Sequence, residues 1–122
     1  MRQYPHARLI RWDASIVVAA WALLALSVTA IFLVGLFRKS DMAWAISALL
    51  VALGVAAMHF VLALIHKCPV CSKRPMVEGF TPLHPDSVSQ ARLSGWAGVA
   101  WNVYRHRRFI CIHCGTAFAC DK

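Results

Sequence analysis

Two long blocks of this chain contain no Asp, Glu, Lys or Arg. The first runs from Ala14 to Phe37 and the second from Met42 to Ile65, 24 residues each. A helix of that length is about 36 Å long, enough to cross an apolar layer of about 30 Å. The polar positions in the first block are Ser15, Ser27 and Thr29, whose hydroxyls can bond back to helix carbonyls. Arg38-Lys39-Ser40-Asp41 separates the blocks, and so short a connection joins antiparallel neighbours. The pattern predicts an α-helical transmembrane hairpin. Residues 1–13 form a basic tail, 14–37 the first span, 38–41 an outer turn and 42–66 the second span. Ser40 or Asp41 serves as the N-cap of the second helix.

Beyond the second block the pattern changes character. Residues 67–122 mix short apolar runs with turns. Met76–Phe80 reads as a strand, weakened by Gly79. Pro82 and Pro85 break the chain into an irregular loop. Asp86 then reads as an N-cap, and a 3.6-residue period runs from Ser87 to Tyr104. Val88, Leu93, Trp96, Val99 and Val103 share one half of that wheel, with Gln90, Ser94, Asn102 and Arg105 on the other. Ser89 and Arg92 intrude on the apolar half, and Trp101 falls on the polar one. Gly95 and Gly98 each lower helix propensity by about 1 kcal/mol relative to Ala. The stretch is predicted as an amphipathic helix, too short and too interrupted for a third span. It packs on the rest of the domain or lies on the inner leaflet. Phe109-Ile110-Cys111 and Thr116–Ala119 read as strands.

Composition supports a membrane protein. Hydrophobic residues make up 60% and charged residues 15%, with a mean hydropathy of +0.60, against about 25% charged in soluble domains. The net charge of +8 is unevenly placed. Arg2, Arg8 and Arg11 precede the first block, and only Arg38 and Lys39 lie between the blocks. Lys67, Lys73, Arg74, Arg92, Arg105, Arg107, Arg108 and Lys122 follow the second. Basic flanks mark the cytoplasmic side, so both termini are expected there, in a multi-pass inner-membrane protein. A cleavable leader ending near Val28-Thr29-Ala30 is the competing reading. The unbroken apolar run through Ile31, Phe32, Leu33 and Val34 speaks against it.

Within the spans, Ala45, Ala48, Ala52 and Ala56 form a ladder on one face, and Ala22 and Ala25 can do the same in the first helix. Small faces let membrane helices approach closely, within the hairpin or between copies. His59 is the one ionisable residue well inside a span, with His66 on nearly the same face. Intramembrane ionisable groups are often functional. A bis-histidine haem would need a second subunit, because the first span offers no histidine. The plainer expectation is a neutral His59 bonded to a carbonyl or hydroxyl.

The densest chemistry lies in two cysteine knuckles, Cys68-Pro69-Val70-Cys71 and Cys111-Ile112-His113-Cys114-Gly115. Each C-x-x-C turn presents two thiolates to one ion, and two turns complete a tetrahedral site. On the reducing cytoplasmic side such cysteines bind metal more often than they form disulfides. A domain of this size also usually needs a metal or other staple. Cys120 is left over and reads as a small, partly buried free thiol. Gly115 allows the positive φ of a knuckle turn, and His113 is expected to face solvent rather than the ion.

These knuckles, with Phe118 following, resemble zinc ribbons and, more loosely, rubredoxin-like knuckles. The resemblance covers residues 67–122 and implies a metal site at Cys68, Cys71, Cys111 and Cys114. The knuckles stand further apart than a compact ribbon needs, so about 81–104 reads as an insertion. The fold expected is therefore a transmembrane hairpin followed by a small α+β zinc-ribbon-like domain with an inserted amphipathic helix. The whole arrangement also looks like small bacterial membrane proteins of unassigned function. Ribbons are scaffolds in many unrelated proteins and imply no activity.

Thiolate ligands select zinc, or iron in a rubredoxin-like site. A c-type haem is excluded because Ser72 and Gly115, not histidine, follow the knuckles. With a closed four-thiolate site and no catalytic set in view, the leading reading is a non-enzymatic protein that binds a partner at the inner membrane surface. Membrane lipid and an unidentified protein are the expected partners, and oligomers are compatible with the small faces. Arg105, Arg107, Arg108, Trp96 and Trp101 are the residues expected to meet the membrane surface or a nucleic acid. The alternatives are thiol redox chemistry at Cys68 and Cys71, helped by Lys67 and His66, a nucleic-acid-binding ribbon, and an iron-site electron carrier.

Overall fold

The computed structural model describes residues 1–37, 42–88 and 93–121. The expected turn 38–41, with its N-cap, lies outside them, as do Ser89 to Arg92 and Lys122. Two long apolar helices, α1 (Ala7–Phe37) and α2 (Met42–Ile65), pack against each other. Both are long and apolar enough to cross a membrane. A small region follows, with helical turn α3 (Pro85–Val88), helix α4 (Gly95–His106) and strands β2 (Arg108–Ile110) and β3 (Ala117–Ala119). Strand β1 (Arg2–Gln3) completes a three-stranded sheet in the order β1-β3-β2.

The first helix starts ahead of the uncharged run. It takes in Arg8, Arg11, Trp12 and Asp13 from the segment read as a tail. Ala7, Ile10, Ala14 and Val17 recur at helical spacing and are buried, while Arg8, Leu9 and Trp12 face outward. Ahead of it, Arg2 and Gln3 pair in parallel with Phe118 and Ala119, and Tyr4 N–H donates to Ala119 O at 2.9 Å. Met76–Phe80 was also read as a strand. Those residues instead form a turn, with Val77 N–H on Arg74 O, followed by irregular backbone. The antiparallel pairing of β2 with β3 agrees with the strands read around the second knuckle.

Tyr4 joins the sheet to the hairpin. Its ring meets Phe109 and Phe118 edge-on at 5.4 and 5.7 Å, and its hydroxyl donates to Lys67 O at 3.0 Å. The resulting core is continuous. Tyr4, Ile10 and Val17 touch the same cluster as Ala63, Met76, Val99, Val103, Ile112 and Phe118. The start of α1 and the end of α2 are thus part of the small domain's core.

The amphipathic stretch forms later and shorter than its period predicts, at Gly95–His106. Gly95 has φ +65°, a conformation that begins the helix rather than continuing one through it. Gly98, Val99, Ala100 and Val103 are buried, and α4 packs on both α1 and β2. Arg107 closes α4 in the left-handed conformation, its N–H on Val103 O.

Between the long helices, Ala45 and Ala52 are fully buried and Ala48 and Ala56 partly so, as a close-packing ladder requires. Ala22 and Ala25 are exposed. Val17, Ala20, Ser27 and Val34 are among the positions buried on α1 instead.

Candidate metal centre

The two knuckles share one backbone design. In the first, Ser72 N–H donates to Cys68 O at 2.9 Å and Cys68 N–H to Lys73 O at 2.8 Å. In the second, Gly115 N–H donates to Cys111 O at 3.0 Å and Cys111 N–H to Thr116 O at 2.9 Å. The residue after the second cysteine is left-handed in both, Ser72 at φ +58° and Gly115 at φ +67°. The sequence signals this turn only in the second knuckle, where a glycine stands. Each turn aims both thiols to one side.

All four sulfurs, of Cys68, Cys71, Cys111 and Cys114, lie within 4.8 Å of one another. Two contacts across the knuckles, Cys68 to Cys114 and Cys71 to Cys111, measure 3.8 Å. An ion bound by four thiolates at about 2.3 Å gives a tetrahedron of edge about 3.8 Å. The donor set and its spacing therefore fit a metal of the tetrahedral thiolate type. Cys68 and Cys111 are buried, and Cys71 and Cys114 partly exposed.

The thiols are held at different ionisation tendencies. Burial pushes Cys71 and Cys111 above the usual thiol range. Burial acts the same way on Cys114, but hydrogen bonds with Thr116 and the neighbouring thiols outweigh it and bring that thiol down to about 7. Four crowded sulfurs cannot all ionise unaided, and a bound metal cation would supply the missing charge. Cys120 sits outside the cluster, fully buried, its thiol raised to about 11 by burial. This matches a free structural cysteine.

His113 does not face solvent as expected. Its Nε2–H is shared between Arg74 O at 3.1 Å and Val77 O at 3.2 Å, tying the second knuckle to the segment after the first. His84 closes the other side. Its N–H donates to Ile112 O, and its ring lies against Gly115, where a Cβ would run into it. The loop carrying His84 was read as an insertion, and it returns directly over the second knuckle.

A second polar cluster lies where α1, α2 and α4 meet. Asp13 is fully buried, and its Oδ1 accepts a hydrogen bond from His59 Nδ1 at 2.7 Å. Its Oδ2 faces His66 Nε2 at 3.5 Å, and neither atom has another partner among the described residues. Trp96 stacks on His59 with centroids 5.5 Å apart, and Trp21 lies 6.1 Å beyond. His59 is thus bonded to a carboxylate, not to the carbonyl or hydroxyl expected. Asp13 is the residue the sequence reading missed. A signal was present: in an antiparallel hairpin closed by 38–41, Phe37 stands opposite Met42, which sets Asp13 opposite His66.

The residues expected at a membrane or nucleic-acid surface divide. Trp96 is half-buried under α1 and α2. Trp101, Arg105, Arg107 and Arg108 are exposed, with Tyr104 beside Trp101 at 6.1 Å.

Compared with known proteins, the chain matches no family model, no curated protein and no solved structure. The likeness to zinc ribbons accordingly rests on the knuckles and the thiol cluster themselves.

Proposed function

We propose that this chain is an integral membrane protein whose small domain is stapled by a structural zinc ion and serves as a non-enzymatic binding platform. Its hairpin sits in the inner membrane with both termini cytoplasmic, as the basic flanks require. The observation that carries the reading is the closed four-sulfur cluster. Cys68, Cys71, Cys111 and Cys114 would hold the ion and leave no open position for water, so the metal's contribution is folding energy. The exposed end of α4, with Trp101, Tyr104, Arg105, Arg107 and Arg108, offers aromatic and cationic groups to anionic lipid and to a protein partner. The convergence of all four sulfurs to within 4.8 Å of one another favours a four-ligand site over a Cys68–Cys71 redox pair, which would leave Cys111 and Cys114 unexplained.

Elemental analysis of the purified full-length protein tests this, beside Cys71→Ser/Cys114→Ser. One zinc per chain, absent from the variant, is expected. Iron with visible thiolate absorption would turn the reading to electron transfer. Metal-free protein with freely titrating thiols would overturn the metal site.

A further inference from the structure

The segment between the first knuckle and the proline loop carries a feature that the platform reading leaves unused. A shallow groove of about 660 Å³ is lined by Lys67, Lys73, Arg74, Val77, Phe80 and His113, among others. The three cations are exposed, and no acidic residue lines the groove. Glu78, in the same stretch, turns its carboxylate away onto Gly95 at the start of α4.

The position of the groove along the hairpin is fixed. Arg74 Nε donates to Leu64 O at 2.9 Å, in the last turn of α2. Lys67 follows two residues after Ile65. The outer face of α2 remains apolar to its end, with Phe60, Val61 and Ile65 about 60% exposed (60%, 58% and 62%). The cations therefore stand where the apolar face stops, the level of lipid headgroups if α2 spans. Phe80, on the rim, is 113% exposed relative to a free residue, the most exposed large apolar side chain among those described. A phenyl ring beside cations, next to an apolar face, matches the way interfacial segments engage lipid.

We infer that this groove binds the phosphate of an anionic phospholipid, with Lys67, Lys73 and Arg74 holding the headgroup and Phe80 entering the acyl boundary. The assignment rests on the proposed membrane hairpin. It adds a lipid site on the face of the domain formed by the first knuckle, separate from the arginines of α4.

The test uses the full-length chain in neutral detergent. Retained phosphatidylglycerol and phosphatidylcholine are counted by native mass spectrometry. The wild type is expected to retain phosphatidylglycerol preferentially. Lys67→Gln/Lys73→Gln should weaken that binding about 25-fold, roughly fivefold per charge removed. This variant keeps Arg74 and its bond to α2. Its metal content and its resistance to carbonate extraction from membranes should match the wild type, which separates failure of the groove from failure of the anchored metal domain. Phe80→Ser should weaken retention with all three cations in place. Equal retention of the two lipids by the wild type, or wild-type binding by the double-lysine variant, would overturn the inference. So would binding of inorganic phosphate alone that depends on Lys67 and Lys73, which would assign the groove to free phosphate.

Discussion

Gly115 and Ser72 occupy equivalent places in the two knuckles, yet they answer substitution differently. At Gly115 a side chain meets both a left-handed backbone and the His84 ring. Gly115→Ala is expected to cost about 2 kcal/mol and to loosen the proposed metal, seen as faster transfer of the ion to a chromogenic chelator. Ser72 already carries a Cβ at φ +58°. Ser72→Gly relieves the left-handed cost and adds unfolded-state entropy, so thermal unfolding should move little. Asp13 and His59 form the other residue-scale case. Removing one partner leaves a buried polar group unmatched, so Asp13→Leu or His59→Leu alone should cost about 3 kcal/mol. The double variant should cost clearly less than the sum, measured as thermal unfolding in detergent. Strict additivity would show that the 2.7 Å contact carries no coupling. Cys120 is the control: Cys120→Ala should leave metal content unchanged.

Helix α4 shows what could and could not be read in the chain. Its apolar half was legible from the 3.6-residue period, and Val99 and Val103 are indeed buried. Its start was not, because the left-handed turn at Gly95 cuts the periodic stretch and the period alone cannot register that. The knuckles and both apolar helices were legible because each is a local signal, a fixed spacing or a long uncharged run. Strand β1 was not, since two residues gain strand character only by pairing with β3, far along the chain. The extension of α1 through Ala7, Ile10, Ala14 and Val17 was visible as a helical spacing, but Arg8 and Arg11 between them read as a tail. Helix α4 itself yields a contrast between its two faces. Trp96 lies between Trp21 and His59, so Trp96→Ala should cost about 2 kcal/mol. Trp101 is 41% exposed, and Trp101→Ala should change thermal stability by about 0.5 kcal/mol or less. Equal effects would mean that α4 does not pack on the hairpin through the Trp96 face.

At the scale of the molecule, the hairpin and the small domain are one packed body. Tyr4, Ala7, Ile10, Ala14 and Val17 share a core with Phe109, Ile112 and Phe118. The thiol cluster sits at that core's edge, with Cys68 three residues beyond the end of α2. A metal there would therefore hold more than two loops: it would fix the sheet, α4 and the N-terminal part of α1 together. The outer parts of α1 and α2, with their exposed apolar faces, have no such dependence. Hydrogen exchange on the whole chain, followed with and without a chelator that would strip the proposed zinc, is the decisive measurement. Residues 2–20, 67–88 and 93–121 are expected to lose protection together once the proposed metal is removed. Residues 22–37 and 42–58 should stay protected. Loss confined to the two knuckles, with residues 2–20 and α4 still protected, would contradict it.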